Sequence, residues 1–333
     1  MSDIKIIKRI GEGGNSIVYL AKRINDGKGL TYKKAKLRDG RPDIHSLKSF
    51  ENEASILKNL EHEAIPRFYG KREDGIILEY IEGISLEKKL MSQGAFSEKE
   101  AAKIAYELSG ILRYLHGRRE PVIYRDLKPA NIVIKPDGHV TLIDFGAARV
   151  YRGGEKKDTT NLGTYGFAAP EQFGHLGQTD PRTDIYCFGM TLLQLVSGVD
   201  TKDAEAVLRF KQNGICGVSD EFMQIIDKCT RADRDDRFKS AKEIQKAVEK
   251  YPTLVRKRKV LSVLKLTCAA AGIAAVLSMG MIHINTIKAY AATDMEARMP
   301  AVRQRLYSAK IWIEDNIASK ADAIPAFDRE VLR

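Results

Sequence analysis

Short runs of alternating, β-branched or aromatic residues open the chain: Ile4 to Ile10, Ile17 to Ala21, Leu30 to Leu37 and Ile76 to Tyr80 read as strands. They bracket one stretch of helical spacing, Leu47 to Leu60, so a small sheet with a single helix is expected. Past a division near Glu82 to Ser85 the period becomes helical, over Ser97 to His116, Asp184 to Val196, Asp220 to Cys229 and Ser240 to Glu249. Two short strand-like pieces, Ile132 to Ile134 and Val140 to Ile143, interrupt these helices.

Leu266 to Ile282 is a run of 17 residues without a charge, at the lower limit for a helix that crosses a bilayer. Lys265 can snorkel to lengthen it, and nothing around the run predicts a domain that would bury it. The block Arg256, Lys257, Arg258, Lys259 stands just before it, and positive flanks stay cytoplasmic. A single-pass protein of the cell membrane is therefore expected, with the first 250 residues in the cytosol. Beyond the span, Met295, Met299, Val302, Leu306, Ala309, Ile313 and Ile317 recur at helical spacing and predict one amphipathic helix starting near Pro300. Such a stripe suits pairing with a second copy in a homodimer, the outer membrane surface, or a partner.

At 333 residues the chain has room for one two-lobed unit with attachments. The 55 basic and 44 acidic residues leave a net charge of +11, and residues 284–333 hold 8 basic and 7 acidic groups, so nearly all the excess lies before them. A basic block next to an apolar run points to an anionic lipid surface rather than nucleic acid. The four cysteines, Cys187, Cys216, Cys229 and Cys268, have no paired spacing, which argues against a disulfide framework or a zinc site. The N-terminus has no apolar segment of the signal-peptide kind.

The candidate chemistry sits in three loops. Gly11-Glu12-Gly13-Gly14-Asn15-Ser16-Ile17-Val18 lies between two strand-like runs, where glycines let backbone N–H groups approach phosphate. Tyr124-Arg125-Asp126-Leu127-Lys128-Pro129-Ala130-Asn131 sets a carboxylate, an ammonium and an amide close together before a short strand. Asp144-Phe145-Gly146 ends the next one. Phosphoryl transfer needs a base to orient the hydroxyl, cations on the moving charge and oxygen ligands for a metal, and these loops supply such groups.

With Glu53 ahead of Ile56-Leu57, Leu60-Glu61-His62, Ala169-Pro170-Glu171, Asp184 to Gly189 and Arg237 in the same order, residues 4 to 250 resemble a eukaryotic-type (Hanks-type) Ser/Thr protein kinase, in the version found in many bacteria. The resemblance implies an α+β, two-lobed protein kinase fold. A small antiparallel β-sheet lobe with one main helix would occupy 1–82 and a larger, mostly helical lobe 83–251. A basic juxtamembrane linker (252–265), a transmembrane helix (266–282) and a short extracytoplasmic tail (283–333) would follow. It implies ATP with Mg²⁺ or Mn²⁺ as cofactor, and proteins with Ser/Thr hydroxyls as substrates. A pseudokinase-like signalling module is the alternative.

Residue by residue, the resemblance makes Asp126 the base, Lys128 the group that neutralises the transferred phosphate, and Asn131 and Asp144 the metal ligands. Gly11, Gly13 and Val18 would cover the nucleotide. Glu79 and Ile81 resemble the adenine hinge, with Leu78 at the back of the pocket. Glu53 would pair with a lysine on a strand, for which Lys33, Lys34 and Lys36 compete. Lys33 is preferred: it lies fifteen residues after Val18, and strand alternation puts it on a different face from Lys34 and Lys36. Lys128 and Thr164 follow the Ser/Thr pattern, Arg125 stands ready to grip a phosphate, and Thr159 and Thr160 are the candidate phosphosites. Glu171 with Arg237, and Asp184, resemble structural braces. Two positions depart from the family: Tyr124 replaces the usual His, and Ser16 the third glycine.

Overall fold

In a computed structural model of the protein, describing residues 3–14, 16–38, 40–152, 163–173, 178–292 and 300–321, the alternating runs at the start form antiparallel strands. These are β1 (Ile4–Glu12), β2 (Ser16–Arg23) and β3 (Gly29–Ala35), followed by a hairpin of β4 (Leu37–Arg38) and β5 (Arg41–Pro42). Helix α1 (Ile44–Leu57) comes next; Asp43 caps it by accepting the Ser46 N–H at 2.9 Å. Strands β6 (Phe68–Arg72) and β7 (Gly75–Glu79) complete a five-stranded sheet of order β1-β2-β3-β7-β6. One face of this sheet packs Ala35, Ile76 and Leu78 with Phe50 and Leu57 of α1, and the other holds a small cluster of Ala21, Leu30, Tyr32 and Ile77.

Gly75 lets β7 lie this close to β3: a Cβ there would stand 2.1 Å from the Lys33 carbonyl oxygen. Gly75→Ala is therefore expected to cost about 1–3 kcal/mol, typical of overpacking. In thermal unfolding of the full chain that is a fall of about 2–12 °C; an unshifted transition would count against the close approach.

The large lobe begins with β8 (Ile84–Ser85), α2 (Leu86–Gln93) and α3 (Glu98–His116), the last opened by a reciprocal cap between Ser97 and Glu100. Strands β9 (Val122–Ile123), β10 (Ile132–Ile134), β11 (Val140–Leu142) and β12 (Arg149–Val150) are short and carry the loops between them. Helices α4 (Pro181–Ser197), α5 (Ala204–Asn213) and α6 (Asp220–Cys229) follow. Leu108, Leu112 and Leu115 of α3 share one core with Phe188, Leu192 and Leu195 of α4, and with Phe222 and Ile226 of α6. The same core runs on through Leu127, Leu142 and Phe145 to Phe50 and Leu57 in the small lobe. Both lobes are thus built on continuous apolar packing beneath the candidate loops.

Helix α7 (Ala241–Ala292) unites two expected segments in 52 residues. Its first turns bury Ala241, Ile244, Val248 and Tyr251. The chain divides into two compact units, Met1–Lys257 and Arg258–Arg333. Within α7, Ala271–Lys288 is an 18-residue window of mean hydropathy 1.2, long and apolar enough to cross a membrane, with none of it buried. It overlaps the expected span 266–282 and extends past it, because Ile284 and Ile287 sustain the hydropathy around His283 and Asn285.

Helix α8 (Pro300–Ala321) starts where expected, while Met295 and Met299 lie outside the described residues. Its amphipathic stripe requires correction. At about 100° per residue, Tyr307, Ile311 and Trp312 project on other sides than Leu306 and Ile313, so the apolar residues ring the helix.

Candidate active site

The three lysines on and just after β3 take different carboxylate partners. Lys33 is 7% exposed. Its Nζ lies 2.7 Å from Glu53 Oε2 on α1 and 2.9 Å from Asp144 Oδ1. Lys34 faces the other way, 3.3 Å from Asp74, and Lys36 lies 2.7 Å from Glu12 in the glycine-rich turn. Burial alone would push the Lys33 ammonium down, but the carboxylates of Asp144 and Glu53 overcome it and hold it above the usual lysine range. Although its side chain is partly exposed, the protein packed around Asp144 strips water from the carboxylate and works against its charge; Lys33 more than offsets this, so that group stays below its ordinary value. Both remain charged at neutral pH.

The glycine-rich turn joins β1 to β2, closed by Gly13 N–H donating to the Ser16 carbonyl at 2.8 Å. Gly11 pairs with Val18 across this hairpin, and Val18 pairs with Lys33 across β2 and β3. The sheet therefore brings Gly11, Gly13, Val18 and Lys33 to one end. Leu78 is buried on β7 and Glu79 ends that strand, with Ile81 half-buried just beyond.

Asp126 is the hub of the next loop. Its Oδ1 accepts the Thr164 hydroxyl at 2.7 Å, and its Oδ2 lies 2.9 Å from both Lys128 Nζ and Asn131 Nδ2. Asn131 Nδ2 also donates to the Asp126 carbonyl at 2.9 Å, and Lys128 Nζ to Thr164 Oγ1 at 2.6 Å. A single 3₁₀ turn, Pro129–Asn131, brings the amide back onto the carboxylate. Because the Asn131 NH₂ is committed to Asp126, its oxygen is the part left to face a cation. Asp144 adds an ionised carboxylate whose side chain is 47% exposed. An amide oxygen and a carboxylate suit Mg²⁺, which prefers oxygen and usually takes one or two carboxylates together with substrate phosphates.

The loop is held from below. Asp184 Oδ2 accepts the Tyr124 N–H at 2.8 Å and Oδ1 the Arg125 N–H at 2.7 Å, which keeps Arg125 at a φ of +66°. Tyr124, fully buried, donates its hydroxyl to the Ile143 carbonyl and meets Phe145 edge-on at 5.1 Å. Two supports escaped sequence reasoning. His116 Nε2 lies 2.8 Å from Asp184 Oδ2, and Gln172 Nε2 donates to the Arg125 carbonyl at 2.9 Å. His116 ends the predicted Ser97 to His116 helix, its only sequence signal; Gln172 gave none.

Glu171 and Arg237 form a two-pronged pair at 2.7 and 2.9 Å, and Thr183 Oγ1 donates to the same carboxylate at 2.9 Å. Cys187 is buried, and burial first of all pushes its thiol far above the ordinary cysteine value. Thr159 and Thr160 lie outside the described residues.

The family model of the protein kinase domain matches residues 4–249. The chain belongs to the protein kinase family. Kinases of this family use ATP and a divalent metal, and this kinase carries the small antiparallel sheet and helical large lobe that go with the family. Among its relatives, serine/threonine-protein kinase PknA of Nostoc sp. (strain PCC 7120) is 28% identical over 276 residues, covering 75% of this chain and 48% of that protein. Serine/threonine-protein kinase F of Synechocystis sp. (strain PCC 6803) is 30% identical over 267 residues, or 72% and 53% of the two chains. Serine/threonine-protein kinase cds1 of Schizosaccharomyces pombe is 31% identical over 208 residues, 59% of this kinase and 45% of the relative. The chain thus spans about half the length of the curated relatives it matches.

Proposed function

We propose that this chain is a membrane-anchored Ser/Thr kinase that transfers the γ-phosphoryl group of ATP to protein hydroxyls. The observation that carries this reading is the convergence of Lys128, Asn131 and Thr164 on the Asp126 carboxylate. A substrate hydroxyl entering at Asp126 finds an acceptor for its proton, while Lys128 supplies positive charge for the phosphoryl group in flight. Lys33, fixed by Glu53, grips the α- and β-phosphates under the turn containing Gly11 and Gly13, with Val18 over the base. The backbone of Glu79 and Ile81 receives adenine. Asn131 and Asp144 would hold Mg²⁺, or Mn²⁺ in its place, and the bound cation would supply positive charge to offset that of the phosphates.

Residues 1–82 and 83–251 are the two lobes of the catalytic unit, 252–265 the basic linker against the inner leaflet, and 266–282 the core of the anchor, continued to Lys288 by the apolar window. The tail beyond would face the outside, where a second copy could meet it. A phosphate on Thr159 or Thr160, added by the kinase itself, would give Arg125 an anion to grip.

The test is label transfer from γ-³²P ATP by the full chain in lipid vesicles, with hydrolysis of the product to identify the modified amino acid. Phosphoserine or phosphothreonine, in protein that resists extraction at high pH, is the expected result. Tight ATP binding without any labelling would replace this reading with that of a signalling pseudokinase.

A further inference from the structure

Helix α1 meets the segment that follows Asp144 through two neighbouring side chains. Glu53 Oε1 accepts the Phe145 N–H at 3.1 Å. Asn52 reaches further along: its Nδ2 donates to the carbonyl oxygens of Gly146 at 3.2 Å and Ala148 at 2.7 Å. Both protons of the amide are thereby used. Close approach depends on residue 146 being glycine, since a Cβ there would stand 2.7 Å from Ser49 Oγ on the same helix.

Asp144, just before the points held by Asn52, has a φ of +67°. A residue with a β-carbon stays in that left-handed region only when its surroundings enforce it. On one side Lys33 holds its carboxylate; on the other the backbone of residues 145–148 is tied to α1. Two other polar side chains of α1 look elsewhere. Glu51 lies 2.6 Å from Lys71, and Ser55 donates to the Asn52 carbonyl of its own helix.

We infer that Asn52 is a positioning residue for phosphoryl transfer: by holding the Gly146 and Ala148 carbonyls it keeps Asp144 in its left-handed conformation and couples the placement of that carboxylate to helix α1. The inference rests on the proposed transfer reaction for its kinetic consequence but not for its structural one.

The test uses the full chain and three variants. Asn52→Asp keeps the shape but turns a donor into a carboxylate facing two carbonyl oxygens, Asn52→Gln retains the NH₂, and Glu51→Gln is a control on the adjacent exposed position. In ATP-free protein, amides of residues 145–148 in Asn52→Asp should exchange with deuterium about 10-fold faster or more than in the parent, with the rest of the large lobe unchanged. In turnover, Asn52→Asp should lower kcat about 10-fold and raise the Mg²⁺ concentration for half-maximal rate, with the peptide KM unmoved. Asn52→Gln should recover much of both, and Glu51→Gln should match the parent. Unchanged exchange at 145–148 would overturn the inference. So would equal loss in the Asp and Gln variants with faster exchange throughout the lobe, the mark of a merely structural residue. If the parent transfers no phosphate, the proposed function fails, and the exchange comparison still decides the role of Asn52.

Discussion

Asp126→Asn should lower kcat for peptide phosphorylation by about 10²- to 10⁴-fold, the range that general bases contribute, while ATP affinity stays within a few-fold of the parent. The geometry explains why the change is so selective. Asparagine can set its oxygen at the Oδ2 position, where Lys128 and Asn131 both donate at 2.9 Å. Its NH₂ then points to Thr164 Oγ1, which has a lone pair free beside the Lys128 contact at 2.6 Å. The loop keeps its shape and loses only the ability to take a proton. Rate measurements at saturating ATP, paired with equilibrium binding of a fluorescent nucleotide, separate the two quantities. A variant retaining more than a tenth of the parent rate would remove Asp126 from the base role.

Glu171→Ala should destabilise the fold by about 3–5 kcal/mol, the cost of leaving one member of a buried ion pair alone. Arg237 is 1% exposed and cannot turn to water for a replacement. Its other contacts among the described residues are the carbonyls of Arg231, Arg182 and Ala232 at 2.8 to 3.0 Å and the Tyr186 ring at 4.9 Å, and these do not neutralise its charge. A fall of about 10 °C in the thermal transition follows for a unit of this size. Glu171→Gln, which keeps one acceptor, should lose less. A shift under about 2 °C for the alanine variant would mean that Arg237 finds a new partner.

Both variants act on residues legible in the sequence, because each sits in a short motif whose neighbours also carry chemistry. Lys33 was separable from Lys34 and Lys36 since strand alternation is a local property, and its buried contact with Glu53 follows from that face. Helix α6 keeps the bounds expected for Asp220 to Cys229, because buried Phe222, Ile225 and Ile226 lie on one side. Elements with little to bury were missed. Helix α5 buries no residue fully and sets only Val207 and Phe210 half-buried on the core, while α2 sets Leu86 and Leu90 there; both are too short for a long periodic run. Strand β6, Phe-Tyr-Gly-Lys-Arg, exists through pairing with β7 rather than through a pattern of its own.

The supports of the site were hidden for a different reason. Asn52 and Ala148 are 96 positions apart, and His116 and Asp184 are 68 apart, so their bonds depend on how lobes and helices pack. No local rule marks an asparagine beside Glu53 as a tether. The ring of apolar residues on α8 shows the converse error: a spacing of three or four traces a stripe through Leu306 and Ile313, while Tyr307, Ile311 and Trp312 lie off it.

Tyr124 has one more consequence. Burial first, and then the surrounding carboxylates, hold its hydroxyl far above the ordinary tyrosine range, so it keeps its proton at every pH a cell reaches. An imidazole in the same place would gain and lose charge near neutrality. With a phenol spanning the Ile143 carbonyl and the Phe145 ring, this contact beneath the Asp126 loop is indifferent to acidification, and any response of the loop to a drop in pH is left to its other supports.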